Sequence, residues 1–276
     1  PGRDEAPLII VGQATTAEIQ NLEIERAIQD ISSVVRGKED TVRLCVLGLL
    51  GRGHVLLEDV PGVGKTTLAR ALARSVGGTF GRVQMTADLL PSDIVGGQVL
   101  ARASGQLVFR AGPVFNQVVL ADELNRATPR TQSGLLEAMA ERSVSVDGTT
   151  HSLPDPFFVI ATQNPGDHHG VYRLPQSQLD RFLIRSSLGY PDADTEMSLL
   201  QGGSADEATL KARLGAEVLE RMAERVLQVS IESSVAEYLR AIVEATRSDE
   251  DLETGVSTRG LLAYGHRREG ACDDIE

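Results

Sequence analysis

Residues 54–67 read His-Val-Leu-Leu-Glu-Asp-Val-Pro-Gly-Val-Gly-Lys-Thr-Thr, a short apolar run followed by a glycine-containing loop. Val55–Leu57 is predicted to be a strand that anchors the loop in a sheet. Gly62 and Gly64 allow successive backbone N–H groups to close around the oxygens of an anion. The stretch therefore predicts a phosphate-binding loop. The alternative is a glycine-rich turn before a helix that holds no nucleotide.

The residues that follow the glycines have the chemistry of a nucleotide site. Lys65 is placed to reach the β- and γ-phosphates, Thr66 to ligate Mg²⁺, and Thr67 opens a helix whose positive end faces the anion. The strict G-x-x-x-x-G-K-[ST] pattern fails at its first position, where Asp59 replaces glycine. We nevertheless expect this loop to bind ATP with Mg²⁺, because a strand precedes it and a helix follows it.

Composition limits the class of protein. The chain has 276 residues, of which 41% are hydrophobic and 24% charged, enough for one large domain and a smaller one. Its two cysteines, Cys45 and Cys272, lie far apart without metal spacing, which favours a reducing compartment. Leu8–Val11 is too short for a signal peptide or a membrane span. A cytoplasmic protein without membrane insertion is expected.

The formal net charge of −12 is unevenly distributed. Residues 1–190 carry 18 basic and 20 acidic side chains, whereas residues 191–276 carry 9 and 19. A motor that moves on nucleic acid usually has a basic stripe, and the sequence has none that is obvious. The charge therefore argues against a nucleic-acid partner.

The order of apolar segments indicates an α/β domain followed by helices. Strands are predicted at 54–58, 82–85, 117–121, 157–161 and 184–188, with helices at 66–76 and 129–141 between them. This alternation is typical of a parallel sheet covered by helices. After Pro191 only helices are predicted, at 192–201, 215–227, 233–247 and 258–265, with Leu219, Met222, Val226, Tyr238, Ile242 and Ala245 as core positions. The predicted division is a disordered tail at 1–21, a core at 22–190 and a helical lid at 191–276.

Two hairpins interrupt this alternation. The first is predicted at 98–109 around Ser104-Gly105, and the second at 144–152 around Asp147-Gly148, a strong turn signal. A hairpin inserted into a phosphate-loop domain more often carries function than a core strand does, because loops project from a rigid scaffold. The alternative is that both are decorative loops.

Polar residues at two strand ends complete a candidate catalytic set. Val118–Ala121 ends in Asp122, predicted to hold Mg²⁺ through water, and Glu123, predicted to activate the attacking water. Asn164 ends the next strand and suits an amide that positions the water, although an Asn before Pro also forms turns. Arg181 taken alone fits a surface ion pair. His168-His169 lacks further metal ligands at suitable spacing and is predicted to lie in a loop.

Five motifs together resemble the MoxR branch of the AAA+ ATPases, over roughly residues 25–265. They are Asp-Val-Pro-Gly-Val-Gly-Lys-Thr-Thr (59–67), Ala-Asp-Glu-Leu-Asn-Arg-Ala (121–127), Thr-Gln-Ser-Gly-Leu-Leu-Glu-Ala-Met (131–139), Ala-Thr-Gln-Asn-Pro (161–165) and Leu-Pro-Gln-Ser-Gln-Leu-Asp-Arg-Phe (174–182). The resemblance implies an α/β fold, namely a P-loop AAA+ αβα core with a parallel five-stranded sheet, two inserted hairpins and a small all-α lid. It also accounts for Asp59, since that branch tolerates a residue other than glycine there.

The resemblance also implies roles for individual residues. Asn164 becomes sensor 1, Arg181 the arginine finger that reaches the neighbouring subunit, and Arg259 sensor 2, although Thr258 stands where the family usually has proline. The hairpins would face the pore of a ring. The residues expected to bind nucleotide are Val35, Arg36, Gly37, Pro61, Gly62, Val63, Gly64, Lys65, Thr66, Thr67 and Asp122.

By resemblance, the leading function is an Mg²⁺-dependent ATPase that assembles as a hexameric ring and remodels or matures a protein client. Clients in the family commonly carry a von Willebrand A domain. A DNA-translocating or helicase-type motor, a chelatase-type motor and a nucleotide-gated scaffold are the alternatives. Glu123 argues against the scaffold, because a switch can dispense with a residue that activates water.

Overall fold

The computed structural model describes residues 16–102, 105–166, 170–202, 206–228, 230–252 and 254–264. Cys272 and His168-His169 lie outside this range. The strands are β1 (Val55–Glu58), β2 (Phe80–Gln84), β3 (Gly96–Leu100), β4 (Leu107–Ala111), β5 (Val118–Asp122), β6 (Ser143–Val146), β7 (Thr149–Ser152), β8 (Phe158–Gln163) and β9 (Ile184–Ser186). The helices are α1 (Thr16–Val34), α2 (Glu39–Leu50), α3 (Lys65–Val76), α4 (Pro91–Val95), α5 (Pro129–Glu141), α6 (Gln176–Leu179), α7 (Ala193–Leu200), α8 (Ala216–Gln228), α9 (Ser233–Ser248) and α10 (Thr258–Tyr264).

Five strands form one parallel sheet in the order β2-β5-β8-β1-β9. β1 lies between the two strands that come last in the chain, with Val55 aligned to Ile160 on one side and to Ile184 on the other. Since all strands point the same way, the carboxyl ends of β1, β5 and β8 meet at one edge of the sheet. The glycine loop, Asp122 and Asn164 therefore start from that edge.

Helices cover both faces of the sheet, which is why its central strands β5, β8 and β1 are buried and apolar along most of their length. In β5, Val118 and Leu120 contribute to one buried cluster together with residues of α1, α2 and α3. Val119 and Ala121 point to the opposite face and pack with residues of α5. Cys45 of α2 is fully buried, and burial raises the pKa of its thiol to about 12. The predicted αβα core is confirmed.

Both predicted hairpins are present outside the main sheet. β3 pairs antiparallel with β4, and β6 with β7. Asp147 and Gly148 both have positive φ, 48° and 79°, as the tight turn between β6 and β7 requires. The ring of Phe109 in β4 stacks on His151 in β7, with centroids 3.8 Å apart and planes 10° apart. This contact joins the two hairpins side by side.

The first helix begins earlier than predicted. α1 starts at Thr16, so part of the expected 1–21 tail is helical. No proline or glycine occurs between Thr16 and Leu22 to stop the helix, and its first turns have too few apolar residues to reveal a period. Hydrophobic periodicity therefore does not reveal where a helix begins when its first turns contain few apolar residues.

Helices α7 to α10 form the C-terminal region, which we call the lid (residues 191–264). α8 buries Leu219 and Met222 as predicted, and half-buries Val226. The prediction for α9 was wrong: Tyr238 and Ile242 are 68% and 44% exposed, whereas Val243 is 4% exposed. Ala245 is also exposed. α9 carries apolar residues on two faces, and periodicity alone does not tell which of the two packs.

The lid is connected to the core by contacts as well as by the chain. Leu214 is fully buried within the cluster beneath α1 and α3, and Arg213 Nε donates to Asp30 of α1 at 2.6 Å. The core sheet ends at Ser186 and α7 begins at Ala193. The division at residue 190 stays a prediction. None of the described helices combines the length and apolarity that a bilayer span needs.

Candidate functional site

The glycine loop between β1 and α3 has the backbone of an anion cradle. Gly62 and Gly64 have φ of 86° and 98°, a region that residues with a Cβ rarely adopt. α3 then begins at Lys65. Among the described residues, the N–H groups of residues 62–65 donate to no protein acceptor. Amides left free at the start of a helix suit a phosphate group.

The Lys65 ammonium lies above its own loop. Its Nζ donates to the backbone carbonyls of Asp59 and Val60, at 3.0 and 3.2 Å. These carbonyls hold a half-buried cation beside the free amides. To reach a phosphate oxygen, Lys65 has only to exchange these two acceptors.

Asp122 lies at the end of β5, with its side chain 14% exposed. Its Oδ1 accepts from the Thr162 hydroxyl at 2.7 Å, and its Oδ2 accepts from Arg82 Nη2 at 2.8 Å. No cluster of three or more His, Cys, Asp or Glu that could hold a metal occurs among the residues described. Thr66 and Asp122 together supply a hydroxyl and a carboxylate, and Mg²⁺ is typically held by few protein oxygens, with water and phosphate completing its shell. The donor set fits Mg²⁺.

Glu123 follows in a strained conformation. Its φ of 58° is unusual for a residue with a side chain, and strain of this kind clusters at functional sites. Its backbone N–H donates to the Thr162 hydroxyl at 2.9 Å, and its carboxylate pairs with Arg126 at 3.1 Å. Thr162 thus fixes both acidic residues from the neighbouring strand. Sequence analysis missed Thr162, Arg82 and Arg126, because strand register rather than a local motif brings the first two to the acids.

Asn164 comes directly after β8 at the same sheet edge. Its Oδ1 accepts from the Gly166 amide at 3.1 Å, so the side chain closes a local turn. Its backbone carbonyl accepts from Asn125 Nδ2 at 3.4 Å. The turn-forming role noted from the sequence is therefore present, and the Asn164 side-chain NH₂ group remains the part suited to a water molecule.

Arg181 lies just beyond α6 and turns toward its own subunit. Its Nη1 donates to the Leu136 carbonyl of α5 at 2.5 Å, while its Nε is buried without a hydrogen-bond partner. A buried donor without an acceptor is costly, of order 1–3 kcal/mol. This guanidinium is not fully satisfied where it lies.

The segment around residues 35–41 borders a cavity of about 650 Å³, lined by Ser32, Gly37, Lys38, Glu39, Asp40, Thr41 and Leu188. Val35 is buried beneath this segment, and Arg36 donates to Ser198 of α7 at 2.6 Å. The cavity is within the size range of ligand pockets. Leu188, in the segment between β9 and α7, forms part of its wall.

The structure thus groups some predicted residues and separates others. The loop, the acidic pair and Asn164 share the carboxyl edge of the sheet. Arg259, in contrast, is exposed in the first turn of α10, which packs on α9 within the lid. Nucleotides bind at the carboxyl edge of parallel sheets because loops and helix starts converge there.

A parallel sheet of this order with a phosphate loop on β1 and an acidic pair on β5 defines a P-loop ATPase of the AAA+ class. The profile of the ATPase family associated with various cellular activities matches residues 54–184. A solved structure of a proposed ATPase from Cytophaga hutchinsonii superposes with a TM-score of 0.81 at 32% identity, covering 91% of this chain and 81% of that one.

Two curated relatives identify the family within the AAA+ class. Chaperone MoxR1 of Mycobacterium tuberculosis is 41% identical over 92% of this chain and 66% of its own length. Protein MoxR of Paracoccus denitrificans is 34% identical over 84% of this chain and 75% of its own length. The chain belongs to the MoxR family of AAA+ ATPases. It hydrolyses ATP, and the naming of its relatives supports a chaperone-like role.

Proposed function

We propose that the protein works as a hexameric ring that uses ATP hydrolysis to remodel a protein client. One observation carries the proposal, namely the apolar tip of the β3–β4 hairpin. Leu100 and Leu107, which are paired in register, are 64% and 65% exposed, and their neighbours Val99 and Val108 are 40% and 43% exposed. A cluster of exposed aliphatic side chains on a hairpin that projects from an ATPase core suits contact with a polypeptide.

The site residues divide the chemistry among them. Lys65 and the amides of residues 62–65 bind the phosphates. Thr66 and Asp122 would hold Mg²⁺, which would neutralise charge on the phosphates. Glu123 accepts the proton of the attacking water, and Asn164 orients that water. Residues 35–37 are proposed to bind the base, with Gly37 in the wall of the cavity. Arg259 is proposed to report on the nucleotide from the lid.

The proposed assembly of subunits into a ring rests on Arg181. The groups of one subunit bind and orient ATP, but the cation that stabilises charge on the far side of the γ-phosphate is proposed to come from the next subunit. Such an arginine is typically worth about three to five decades in rate. The unsatisfied Nε of Arg181 supports a guanidinium that exchanges its present acceptor for another when subunits meet.

The client is proposed to be a protein with a von Willebrand A domain, by membership of the family. A cytoplasmic location stays a prediction.

Capture by the Glu123→Gln form tests the function. This variant is expected to keep ATP bound and therefore to hold its client, so that protein recovered on it depends on ATP and is released when ATP is removed. The matched control adds Leu100→Ser and Leu107→Ser to the same variant and should recover little. Recovery that is equal with and without ATP, or equal with the altered hairpin, would count against client remodelling.

A further inference from the structure

Asp59 uses its side chain for a contact that no glycine can make. The residue is 6% exposed, and its two carboxylate oxygens accept from the backbone amides of Leu188 and Gly189, the latter at 2.9 Å. Charged hydrogen bonds of this type are roughly twice as strong as neutral ones, and removing the donors would leave a buried charge unpaired. The contact therefore resists separation of the loop from residues 188–189.

Residues 187–192, which we call the junction, connect β9 with α7. Other contacts to the junction come from the wall of the cavity. The Thr41 hydroxyl donates to the Ser187 carbonyl at 2.8 Å, and Lys38 Nζ donates to the Tyr190 carbonyl at 2.7 Å. Gly189 has a φ of 64°, so the chain bends where Asp59 holds it. The junction is thus attached to both ends of the nucleotide site.

The backbone of Asp59 faces the chemistry. Its carbonyl accepts from Lys65 at 3.0 Å, and its N–H donates to the Gln163 carbonyl, one residue before Asn164, also at 3.0 Å. A glycine at position 59 would offer the same two backbone groups. The aspartate adds only the link to the junction.

We propose that Asp59 is a positioning residue that couples the phosphate loop to the orientation of the lid. When Lys65 leaves the Asp59 carbonyl for a phosphate, the change in the loop reaches Leu188 and Gly189 through the buried carboxylate and passes on to α7. Asp59, which departs from the glycine pattern, is then the residue through which the nucleotide state changes the orientation of the lid. This inference concerns one subunit and does not depend on the proposed client.

The test is Asp59→Gly, which restores the glycine of the strict pattern, compared with Asp30→Asn, which weakens the contact of Asp30 with Arg213 between core and lid and involves neither the loop nor the cavity. Nucleotide affinity is measured with a fluorescent ADP analogue, and lid response by amide hydrogen exchange in residues 193–200, which do not touch Asp59. Asp59→Gly should bind the analogue within about threefold of wild type, while kcat falls about tenfold, equivalent to about 1.4 kcal/mol on the barrier. Its α7 amides should lose their response to nucleotide.

Asp30→Asn should keep the α7 response to nucleotide, because it leaves the contact between Asp59 and the junction intact. The proposal is overturned if Asp59→Gly keeps both kcat and the α7 response, if it no longer binds the analogue, or if Asp30→Asn also loses the response. Should Asp59→Gly fail to fold, Asp59→Asn decides by the same readouts. Its amide can accept from only one of the two N–H groups, so a partial loss of coupling is expected and wild-type coupling contradicts the proposal.

Discussion

At the scale of single residues, both acidic side chains of the site are paired with arginine. Asp122 pairs with Arg82 and Glu123 with Arg126. These pairs are partly exposed, so each is worth little in stability, and a metal or water can displace them at low cost. Thr162 holds the Asp122 carboxylate and the Glu123 backbone in place independently of the arginines.

Glu123→Gln is expected to separate binding from turnover. The amide keeps the size of the side chain but cannot accept the proton of water, so kcat should fall by about 10²–10⁴ while nucleotide affinity persists. Lys65→Ala should lose both. Steady-state phosphate release together with fluorescent-nucleotide titration measures the two effects. Hydrolysis at the wild-type rate in Glu123→Gln would show that another group activates the water.

His54 predicts how stability depends on pH. It is buried, with its Nδ1 accepting from the Val159 amide at 3.0 Å and its Nε2 placed 3.2 Å from the Met139 carbonyl. Burial, opposed by the Met139 hydrogen bond and assisted by the charge of Arg142, lowers the pKa of His54 from 6.5 to about 4. Between these values the unfolded chain binds the extra proton, so stability falls as pH drops from 6.5 to 4 and levels off below 4.

The expected loss attributable to His54 is of order 3 kcal/mol. Urea unfolding at a series of pH values measures this loss. His54→Gln, which keeps a donor and an acceptor, should lower the slope of unfolding free energy against pH by the contribution of one bound proton. An unchanged slope in that variant would mean that other groups cause the acid sensitivity.

The residues predicted from sequence are those whose chemistry requires a fixed local spacing. Gly62, Gly64 and Lys65 follow one another in a single loop, so their pattern is visible. Thr162 and Asp59 act on residues far away in the chain, through strand register and a buried carboxylate. No local pattern marks such contacts, and only the fold reveals them.

At the scale of elements, the β3–β4 hairpin presents a cluster of exposed aliphatic side chains. Leu100→Ser with Leu107→Ser is expected to weaken client capture by about thirtyfold, the loss of one strong interface contact of about 2 kcal/mol. Basal ATP hydrolysis should be unchanged, because neither residue belongs to the nucleotide site. Leu47→Ser serves as control, since Leu47 is similarly exposed, at 51%, but lies on α2. Equal loss in the control would indicate a nonspecific effect of surface polarity.

Strands and helices were predicted correctly where a single hydrophobic period dominates their sequence. The strands β5 and β8 and the helices α3 and α5 were placed within one or two residues, because buried parallel strands are continuously apolar and helices start at clear signals. α9 failed because Leu239 and Val243 form a second apolar row beside Tyr238 and Ile242. Which row is buried depends on the neighbouring helix, and a single helix carries no information about that neighbour.

At the scale of the whole molecule, assembly should complete the site. Arg181→Ala and Lys65→Ala subunits are each expected to be nearly inactive alone. Mixing them should restore part of the hydrolysis, because one kind of mixed interface joins an intact nucleotide site to an intact Arg181. Activity of the native protein should also fall on dilution below the assembly concentration. Mixed rings that remain inactive, or dilute monomer that keeps full activity, would contradict a finger acting in trans.

Charge at the same scale predicts weak attraction to DNA. With a net charge of −12, most of it in the lid segment, the protein releases few counterions from a phosphate backbone. Fluorescence anisotropy at physiological salt should give a dissociation constant weaker than about 10⁻⁵ M, in the nonspecific range. Binding below micromolar would make a DNA-translocating motor the better interpretation.

The position of β1 in the sheet determines at what stage of synthesis a new chain can form its nucleotide site. β1 carries the glycine loop, yet its hydrogen-bonded neighbours are β8 and β9, which leave the ribosome long after it. Pairings between distant segments form late, because the intervening chain must first be ordered. A ribosome that stalls before Ser186 therefore displays a complete glycine loop on a strand with an open edge, which is a target for chaperones and proteases before it is an ATPase.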